Sequence, residues 1–360
     1  MVEDMTSRYS RRLGRGAVSN PHVRFDRQQT TAFDDGWYSE EELPVLRTQV
    51  RDEQIKQAIS RNTSPDLSFD RSVNPYRGCE HGCIYCFARP SHAYLGLSPG
   101  LDFETQLVAR PNVAQQLHTE LSKPNYVPAT IAIGTNTDPY QPIEKSRKIM
   151  REVLSILSAF NHPVAIVTKG TLIERDIDLL APMAAKGLLR VGISVTTLSN
   201  ATSRAMEPRV PSPAARLRSI QRLTDAGVPV RVMVSPVVPA LTDHELEGIL
   251  AAAAKVGAVA ASSIVLRLPR EVAGLFEEWL RSAFSDRADR VMNRVRELHG
   301  GKSYDPEFGK RMNGQGEWAK IMRQRFRLAA AQHGLDRSLP ALRTDLFARP
   351  PQSGDQLSLF

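Results

Sequence analysis

The stretch that decides the fold of this protein is GCEHGCIYCF, residues 78–87. It holds Cys79, Cys83 and Cys86, which are the only cysteines among the 360 residues. Their CxxxCxxC spacing makes a tight loop in which three thiolates can converge on a single metal ion or metal cluster. Thiolate ligands suit Zn²⁺ or an iron–sulfur cluster. The motif therefore predicts that these three cysteines are metal ligands.

Two kinds of metal site are compatible with three cysteines. A zinc ion would need a fourth protein ligand, and His81 or His92 is near enough in the sequence to provide it. A [4Fe-4S] cluster held by three cysteines instead leaves one iron open to a small molecule. The absence of any further cysteine, together with the regular pattern that follows the loop, favours the cluster.

Short apolar runs alternate with amphipathic helices along most of the chain. This alternation is typical of parallel βα units, whose buried strands read as continuous apolar stretches. One strand is predicted before the cysteine loop and five after it: FDRSVNPY (69–76), ATIAIG (129–134), PVAIVTK (163–169), LLRVGISVTT (188–197), PVRVMVSPVVP (229–239) and SSIVLRLP (262–269). Six such units predict an α/β fold, a partial (β/α)6 TIM-type barrel. The cysteine loop would lie at the C-terminal ends of its strands, where such barrels carry their chemistry.

Segments of different character flank the predicted barrel, which we place at residues 61–284. Residues 1–60 are polar without sustained periodicity and are predicted to be a partly ordered N-terminal extension. Residues 285–347 are predicted to be a basic region of helices and loops, and residues 348–360 a flexible tail. The net charge is +8, and residues 281–350 carry 15 Lys and Arg against 8 Asp and Glu. Such a basic region can hold a polyanion, although an ordinary solvated face would have the same composition.

The sequence carries no pattern typical of export or membrane insertion. Its first residues, MVEDMTSRYS, contain two acids and no apolar run, and Arg231 and Lys255 interrupt the most apolar stretches. We therefore expect a cytoplasmic protein without a membrane partner. In a reducing compartment, clustered cysteines bind metal far more often than they form disulfides.

The cysteine motif followed by an aromatic residue, in a loop after the first strand of a partial barrel, resembles the radical S-adenosylmethionine (SAM) superfamily. The wider string NPYRGCEHGCIYCFARPSHAYLGLSPGLDFE (74–104), with GTNTDPYQPIE (134–144) further on, is similar to the branch that contains spore photoproduct lyase. The resemblance covers about residues 60–280 and is weaker beyond residue 200. It implies that SAM chelates the open iron and that one electron from the cluster cleaves SAM to methionine and a 5′-deoxyadenosyl radical, which takes a hydrogen atom from substrate. It also implies an electron donor such as flavodoxin or ferredoxin.

The resemblance further implies where SAM would bind. Lys169 would meet the carboxylate of SAM, and Ser194 its ribose and methionyl portion. Tyr85 would lie against the adenine, and Ser235 could meet the adenine edge. Acceptors for the SAM amine would be the residues after the second strand, Thr135, Asn136 and Thr137. Each of these side chains could instead cap a strand or a turn.

The loop TDPYQPIE, residues 137–144, holds the candidate catalytic residues Asp138 and Tyr140. They could touch substrate or merely fix a loop that its prolines make rigid. Spore photoproduct lyase returns a hydrogen atom to the product radical from a further cysteine, whereas this chain has no fourth cysteine. Tyr85, Tyr140 or Tyr304 could take that role. Reversal of the thymine photoproduct is therefore not the expected reaction.

The last five residues, QLSLF, follow the Pro/Gly/Ser-rich tether ARPPQSGD. They resemble the peptide by which bacterial repair and replication proteins dock on the DNA sliding clamp. Leu357, Leu359 and Phe360 would fill an apolar pocket, and Gln356 would form a hydrogen bond at its edge. Burial of two or three such side chains contributes roughly 3–7 kcal/mol, part of which is offset by ordering the tail, so about micromolar affinity would follow. Alternatively, the tail could pack on its own barrel.

A segment rich in glycine, cations and aromatic residues precedes the tail: HGGKSYDPEFGKRMNGQGEWAKIMRQRFR, residues 299–327. Its cations could meet phosphates while its aromatic rings stack on bases, as in a nucleic-acid groove. The same segment could instead be a lid on the open side of the barrel.

We therefore predict a cytoplasmic radical SAM enzyme that acts on DNA, in repair or base modification. Radical modification of RNA or of a peptide is the alternative among enzymes. A zinc-bearing, clamp-recruited binding protein without catalysis is the alternative outside them.

Overall fold

Ten strands and eleven α-helices occur in the part of the chain that the computed structural model describes, residues 14–26 and 46–351. The strands are β1 (Gln49–Asp52), β2 (Ile59–Arg61), β3 (Arg71–Val73), β4 (Tyr76–Arg77), β5 (Gln106–Ala109), β6 (Ile131–Ile133), β7 (Val164–Thr168), β8 (Leu189–Ser194), β9 (Val230–Val237) and β10 (Ala260–Val265). The helices are α1 (Asp102–Thr105), α2 (Val113–Leu121), α3 (Glu144–Arg147), α4 (Ile149–Ala159), α5 (Ile177–Ala185), α6 (Asn200–Met206), α7 (Pro213–Asp225), α8 (Leu246–Lys255), α9 (Glu271–Ala283), α10 (Ala288–Leu298) and α11 (Gly316–Gln332). The same described residues contain three short 3₁₀ helices, which cover Arg89–Leu95, Thr171–Asp176 and Asp243–Glu245.

The main sheet has seven strands in the order β10-β9-β8-β7-β6-β3-β2. Neighbouring strands from β3 to β10 pair in parallel, and β2 pairs antiparallel with β3. The six parallel strands are the six predicted from the apolar runs, so the predicted α/β fold with a partial barrel is confirmed. Within the described residues the end strands β10 and β2 do not pair with each other.

A small second sheet supports the cysteine loop. It has the order β1-β5-β4, with β1 parallel and β4 antiparallel to β5. Strand β4 leads directly into the loop, and the N–H of Cys79 donates to the carbonyl of Phe103, the second residue of α1. The sequence did not predict this sheet, because two- to four-residue strands are too short to show alternation.

The core lies between the main sheet and the helices outside it. Val164 and Ile166 of β7 are buried there, and α4 contributes Ile149, Val153 and Leu157 at intervals of four residues. This spacing places one apolar stripe of the helix against the sheet. Each fully buried aliphatic side chain stabilises the fold by roughly 1.5–3 kcal/mol before the entropic cost of ordering it.

The C-terminal region covers the edge of the sheet at β10. The N–H of Val265 donates to the carbonyl of Met312 at 3.1 Å, and the N–H of Ala261 donates to that of Leu335 at 2.9 Å. These bonds satisfy donors that an uncovered edge strand would present to other chains.

An ion pair spans the open side of the sheet. Asp66 lies between β2 and β3 at one end of the strand order, and Arg311 lies beside β10 at the other. The guanidinium of Arg311 donates to both carboxylate oxygens of Asp66, at 2.5 and 2.7 Å. Residues 299–315 therefore cover this opening, as a lid would.

The domain boundaries predicted from the sequence stay predictions. Residues 46–60 of the predicted N-terminal extension supply β1 and most of β2. The candidate clamp-binding residues of the tail, Gln356, Leu357, Leu359 and Phe360, lie outside the described residues. A membrane span would need a long apolar helix, and the described residues contain none.

Candidate active site around the cysteine loop

The three cysteines lie in a largely buried loop at the carboxyl ends of the parallel strands. Cys79 and Cys83 are buried, Cys86 is partly buried, and all three are free thiols. Burial raises the pKa of Cys79 and Cys83, and the nearby carboxylate of Asp138 adds to the rise at Cys79. Buried thiolates therefore need a positively charged partner, such as a metal centre.

A buried arginine three residues after the last cysteine holds the loop in place. Arg89 and Glu104 are both fully buried and form an ion pair. All five N–H groups of the guanidinium find acceptors at 2.5–3.2 Å: the carbonyls of Gly82, Cys83, Pro99 and Gly100 and the carboxylate of Glu104. Because every donor is satisfied, this charge can be buried, and it fixes two carbonyls inside the cysteine motif.

An N-terminal strap, residues 14–21, packs directly on the cysteine loop. The N–H groups of Gly16 and Ala17 donate to the two oxygens of Glu104, at 2.9 and 2.8 Å. A methyl group added at Gly16 would lie only 1.9 Å from the carbonyl oxygen of Gly82. The backbones therefore approach as closely as glycine allows. The sequence assigned the first 60 residues no role at the site, and this strap is a finding of the structure.

Three of the predicted cofactor-binding residues come together beside the cysteines. The Nζ atom of Lys169 lies 5.7 Å from the ring centroid of Tyr85. The Tyr85 hydroxyl donates to Glu207, whose other oxygen accepts from Arg216 at 2.7 Å. Arg216 also donates to the carbonyl of Ser194 at 3.0 Å. A buried network thus links Tyr85 and Ser194, with Lys169 above the ring.

The charges of this network favour binding of an anionic group at Lys169. Although burial opposes a positive charge, the nearby Cys83, Glu207 and Asp138 raise the pKa of Lys169. Burial likewise opposes the charge of Glu207, but Arg216 and Lys169 hold its pKa below the usual value. The half-buried ammonium is therefore a cation, and a carboxylate is its natural ligand.

The remaining predicted cofactor contacts lie after β6 and within β9. Thr137 is buried, and its hydroxyl donates to the carbonyl of Tyr76 at 3.0 Å. Thr135 and Asn136 are partly exposed. The hydroxyl of Ser235 is buried and has no hydrogen-bond partner in the described part of the chain. Such an orphan hydroxyl is unusual without a ligand or water to satisfy it.

Asp138, a candidate catalytic residue, joins two loops at the strand ends. Its carboxylate accepts hydrogen bonds from the N–H of Tyr140 at 2.9 Å, the hydroxyl of Thr168 at 2.5 Å and the N–H of Lys169 at 2.7 Å. Burial alone would raise the pKa of Asp138, but His81 and these hydrogen bonds lower it to about 2. Its contacts are those of a residue that fixes the loop, and a catalytic role stays a prediction.

The three tyrosines considered as hydrogen donors occupy different surroundings. Tyr140, the other candidate catalytic residue, is buried, and its hydroxyl donates to Asp176 at 3.2 Å. Burial and Asp176 together raise the pKa of Tyr140. Tyr85 is also buried against a carboxylate, whereas Tyr304 is partly exposed and contacts the ring of His299.

The family is decided by comparison with known proteins. A model of the radical SAM superfamily matches residues 73–253. This chain is a radical SAM enzyme. The uncharacterized protein Rv2578c of Mycobacterium tuberculosis is 40% identical over 242 residues, 67% of this chain and 70% of the relative. The uncharacterized protein MJ0683 of Methanocaldococcus jannaschii is 27% identical over 173 residues, 48% of this chain and 62% of the relative.

Solved structures of spore photoproduct lyase share the fold of this radical SAM enzyme. A complex with dinucleoside spore photoproduct superposes with a TM-score of 0.58 over 79% of both chains, at 15% identity. A variant with bound AdoMet and dinucleoside spore photoproduct gives 0.55 over 75% of this chain and 76% of that one, at 14% identity. The resemblance of fold predicted from the cysteine motif is thus confirmed.

The residues of this radical SAM enzyme fit the [4Fe-4S] cluster and SAM that the superfamily implies. Three free thiols share one loop, and two of them are buried. Lys169 supplies a cation beside them, and Ser235 supplies an unpaired hydroxyl. These features fit a [4Fe-4S] cluster and a SAM molecule beside it, with Lys169 suited to the amino-acid end of SAM and Ser235 to its nucleoside end.

The histidines considered as a fourth zinc ligand have protein partners. Nδ1 of His81 lies 3.3 Å from Asp138, at ion-pair distance but without hydrogen-bond alignment. Nε2 of His92 lies 3.0 Å from the carbonyl of Gln106, and burial lowers the pKa of His92 to about 4. Residues 14–26 and 46–351 contain no group of three or more His, Cys, Asp or Glu side chains placed to hold a single metal ion. The ligand role of the cysteines therefore stays a prediction.

Sequence reasoning missed four buried charged residues that shape the site: Arg89, Glu104, Glu207 and Arg216. One of them left a signal. Arg216 shares the buried face of α7 with Ser219, Ile220 and Leu223, at helical spacing. A charge at a core-facing position indicates a buried partner. Arg89 lies outside any periodic element and left no such signal.

Proposed function

We propose that this radical SAM enzyme holds a [4Fe-4S] cluster at Cys79, Cys83 and Cys86, and that it acts on DNA in repair or base modification. The observation that carries the proposal is the cationic Lys169 above Tyr85, beside a buried loop of three free thiols. When bound, the cluster and SAM supply reductive cleavage of SAM to a 5′-deoxyadenosyl radical. The chain supplies binding, orientation and exclusion of water.

Each residue of the network has a distinct part in this proposal. Lys169 binds the carboxylate of SAM, and Ser235 donates its free hydroxyl to the adenine edge. Glu207 holds the Tyr85 ring in a fixed orientation for the adenine, and Arg216 keeps Glu207 ionised. Contacts to the ribose and the amine come from Ser194, Thr135, Asn136 and Thr137.

Two observations support a nucleic-acid substrate. The solved neighbours bind a dinucleoside photoproduct, and residues 281–350 of this chain are strongly basic. DNA is favoured over RNA or a peptide because those neighbours bind a dinucleoside spore photoproduct and because the QLSLF tail resembles a peptide that docks on the DNA sliding clamp. An external one-electron donor, such as flavodoxin or ferredoxin, completes the proposed reaction.

Anaerobic reconstitution of the full chain tests the cluster. We expect iron, sulfide, a brown chromophore and 5′-deoxyadenosine formation after reduction, because three thiolates and SAM complete the cluster's ligands. Cys83→Ala should lose all four, whereas the exposed Ser285→Ala should keep them. One colourless zinc per chain, or undiminished SAM cleavage in Cys83→Ala, would contradict the proposal.

We also propose that the tail binds the DNA sliding clamp through Gln356, Leu357, Leu359 and Phe360. The support is the QLSLF sequence, which follows the Pro/Gly/Ser-rich segment ARPPQSGD. Deletion of residues 356–360 should abolish clamp capture in a pull-down, because the apolar anchor is lost. Ser353→Ala, in the tether, is the control and should capture normally. Clamp capture by the deletion variant would overturn this part.

A further inference from the structure

The structure exposes four large aromatic side chains among the residues it describes: Phe25, Phe87, Tyr94 and Phe308, which are 46–66% exposed. Solvent exposure of so much aromatic surface is unfavourable unless a ligand covers it. Every one of these rings lies within 6 Å of an arginine guanidinium. Each exposed aromatic ring is therefore paired with a cation.

Three arginine–aromatic groups can be distinguished. The Cζ atom of Arg24 lies 5.2 Å from the ring centroid of Phe25 and 5.9 Å from that of Tyr94. Arg267 lies 4.4 Å from the ring of Phe87. The third group is made by Arg311, which lies 4.8 Å from the ring of Phe308.

The three groups are neighbours on one side of the cysteine loop. Arg24 forms an ion pair at 2.8 Å with Glu271, the first residue of α9, only four positions after Arg267. Arg267 is close enough to Tyr304, Arg311, Asp66 and Cys86 to interact with all four electrostatically. The groups therefore form a row, from Tyr94 through Phe87 to Phe308, which passes beside the cluster ligand Cys86.

The middle cation of the row, Arg267, is partly buried and lies near Asp66 without forming an ion pair with it. Glu271 neutralises Arg24, and Asp66 neutralises Arg311. Within residues 14–26 and 46–351, Arg267 forms no ion pair. Aromatic rings that stack on bases, with arginines among them to meet phosphates, are the way proteins bind single strands. A duplex would not suit the row, because its bases are stacked inside.

We propose that this row is a binding track for single-stranded nucleic acid, along which an unpaired base is brought to the cluster. The proposal rests on the proposed function for its substrate class and adds the strand state and the path. Stacking on Phe87, next to Cys86, would place a base at the mouth of the site. Stacking on Tyr94 and Phe308 would hold the flanking nucleotides.

Fluorescence anisotropy of the reconstituted full chain tests the track. The probes are labelled oligonucleotides of about 15 nucleotides, within the usual range of single-strand sites. They are offered as single-stranded DNA, as the matching duplex and as RNA, and an acidic peptide is the fourth probe. We expect single strands to bind more tightly than the duplex, and the peptide not to bind.

Variants at the two ends of the row locate the binding site. Tyr94→Leu and Phe308→Leu should each weaken single-strand affinity about 5- to 100-fold, because each removes one stacked base. Leu328→Ala, an equally exposed apolar residue on α11 without an arginine partner, should bind normally. Arg267→Gln should reduce the slope of log affinity against log salt by about 0.7, the value for one phosphate contact on a single strand.

The outcomes separate the track from the proposed function. Unchanged affinity in both aromatic variants, preference for duplex, or binding of the peptide in place of nucleic acid would overturn the track. SAM cleavage by the wild-type enzyme without nucleic acid reports on the cluster alone. Tighter binding of RNA than of DNA would support the track and contradict DNA as the substrate.

Discussion

At the scale of single residues, the geometry of the cysteine loop depends on two of its backbone carbonyl groups. The carbonyl oxygens of Gly82 and Cys83 both accept hydrogen bonds from Arg89. Glu104 then binds Arg89 on one side and the N–H groups of the N-terminal strap on the other. A buried ion pair contributes little net stability, but loss of one partner is costly. The loop is therefore held by partners whose removal would leave a charge unpaired.

The contact between Gly16 and Gly82 makes a residue-scale prediction. Gly16→Ala would place a methyl group against the carbonyl oxygen of Gly82, so the strap must move away. Overpacking of this kind costs about 1–3 kcal/mol. We expect amide hydrogen exchange in residues 79–86 to become about 5- to 100-fold faster, since 1.4 kcal/mol corresponds to a factor of ten.

Gly274→Ala is the matched control for the strap. An alanine in this helical position meets nothing within 4 Å and should leave exchange in the cysteine loop unchanged. Equal exchange in Gly16→Ala and wild type would show that the strap does not restrain the loop.

At the scale of elements, the connection between α4 and β7 contains a histidine that is held neutral. Nδ1 of His162 donates to the carbonyl of Pro163 at 3.0 Å, and Nε2 accepts from the hydroxyl of Tyr126 at 2.8 Å. The ring also packs against Phe347 from the C-terminal region. Burial and the positive charge of Arg71 lower the pKa of His162 to about 4.

This histidine makes stability depend on pH in a stated direction. Because its native pKa lies below the unfolded value of about 6.5, the unfolded chain takes up the proton first as pH falls. The contribution of His162 to the free energy of unfolding is therefore present above about pH 6.5 and is lost progressively toward pH 4. Between pH 7 and pH 5 the wild type should lose about 2 kcal/mol of unfolding free energy through this residue.

Urea titration of His162→Gln at both pH values checks the prediction. The variant should be less stable at pH 7, but its loss between pH 7 and pH 5 should be about 2 kcal/mol smaller than that of the wild type. His92 titrates in the same range and is common to both proteins, so it cancels from the comparison. An identical pH dependence would show that His162 is not the group responsible.

At the scale of the whole molecule, the open sheet is spanned by a segment that is distant in sequence. Asp66 and Arg311 are 245 positions apart and lie near opposite ends of the strand order. Their side chains are only 12% and 17% exposed, so water screens the pair less than it screens a surface pair. The pair therefore holds the cover formed by residues 299–315 in place.

Asp66→Asn should loosen that cover without unfolding the barrel. We expect amide exchange in residues 303–315 to rise about five- to tenfold, because the bidentate charged contact is lost. Asp345→Asn removes a bidentate partner from Arg343 in an exposed setting and should leave this segment unaffected. Unaltered exchange in Asp66→Asn would show that packing on β10 alone retains the cover.

The sequence by itself determined the local features of this protein. Six buried strands and their helices could be read from apolar runs, because burial on both faces leaves a continuous pattern. The cysteine spacing predicted a metal-binding loop and indicated the superfamily, because that chemistry requires those residue types in that order. Lys169 and Ser194 could be placed at the ends of strands, where a parallel barrel collects its side chains, and Tyr85 could be placed in the cysteine loop.

Tertiary structure alone decided which distant residues complete the site. The N–H of Gly16 donates to Glu104, and Arg311 donates to Asp66. Arg216 and Tyr85 both donate to Glu207. No local pattern in the sequence pairs these residues. Each contact depends on how elements pack, since side chains far apart in the chain meet only when the sheet has formed. The row of exposed aromatic rings has the same origin, because its members come from segments that have no common periodicity. Spacing along the chain could therefore predict which cysteines are the candidate ligands, while folding decided which residues surround them.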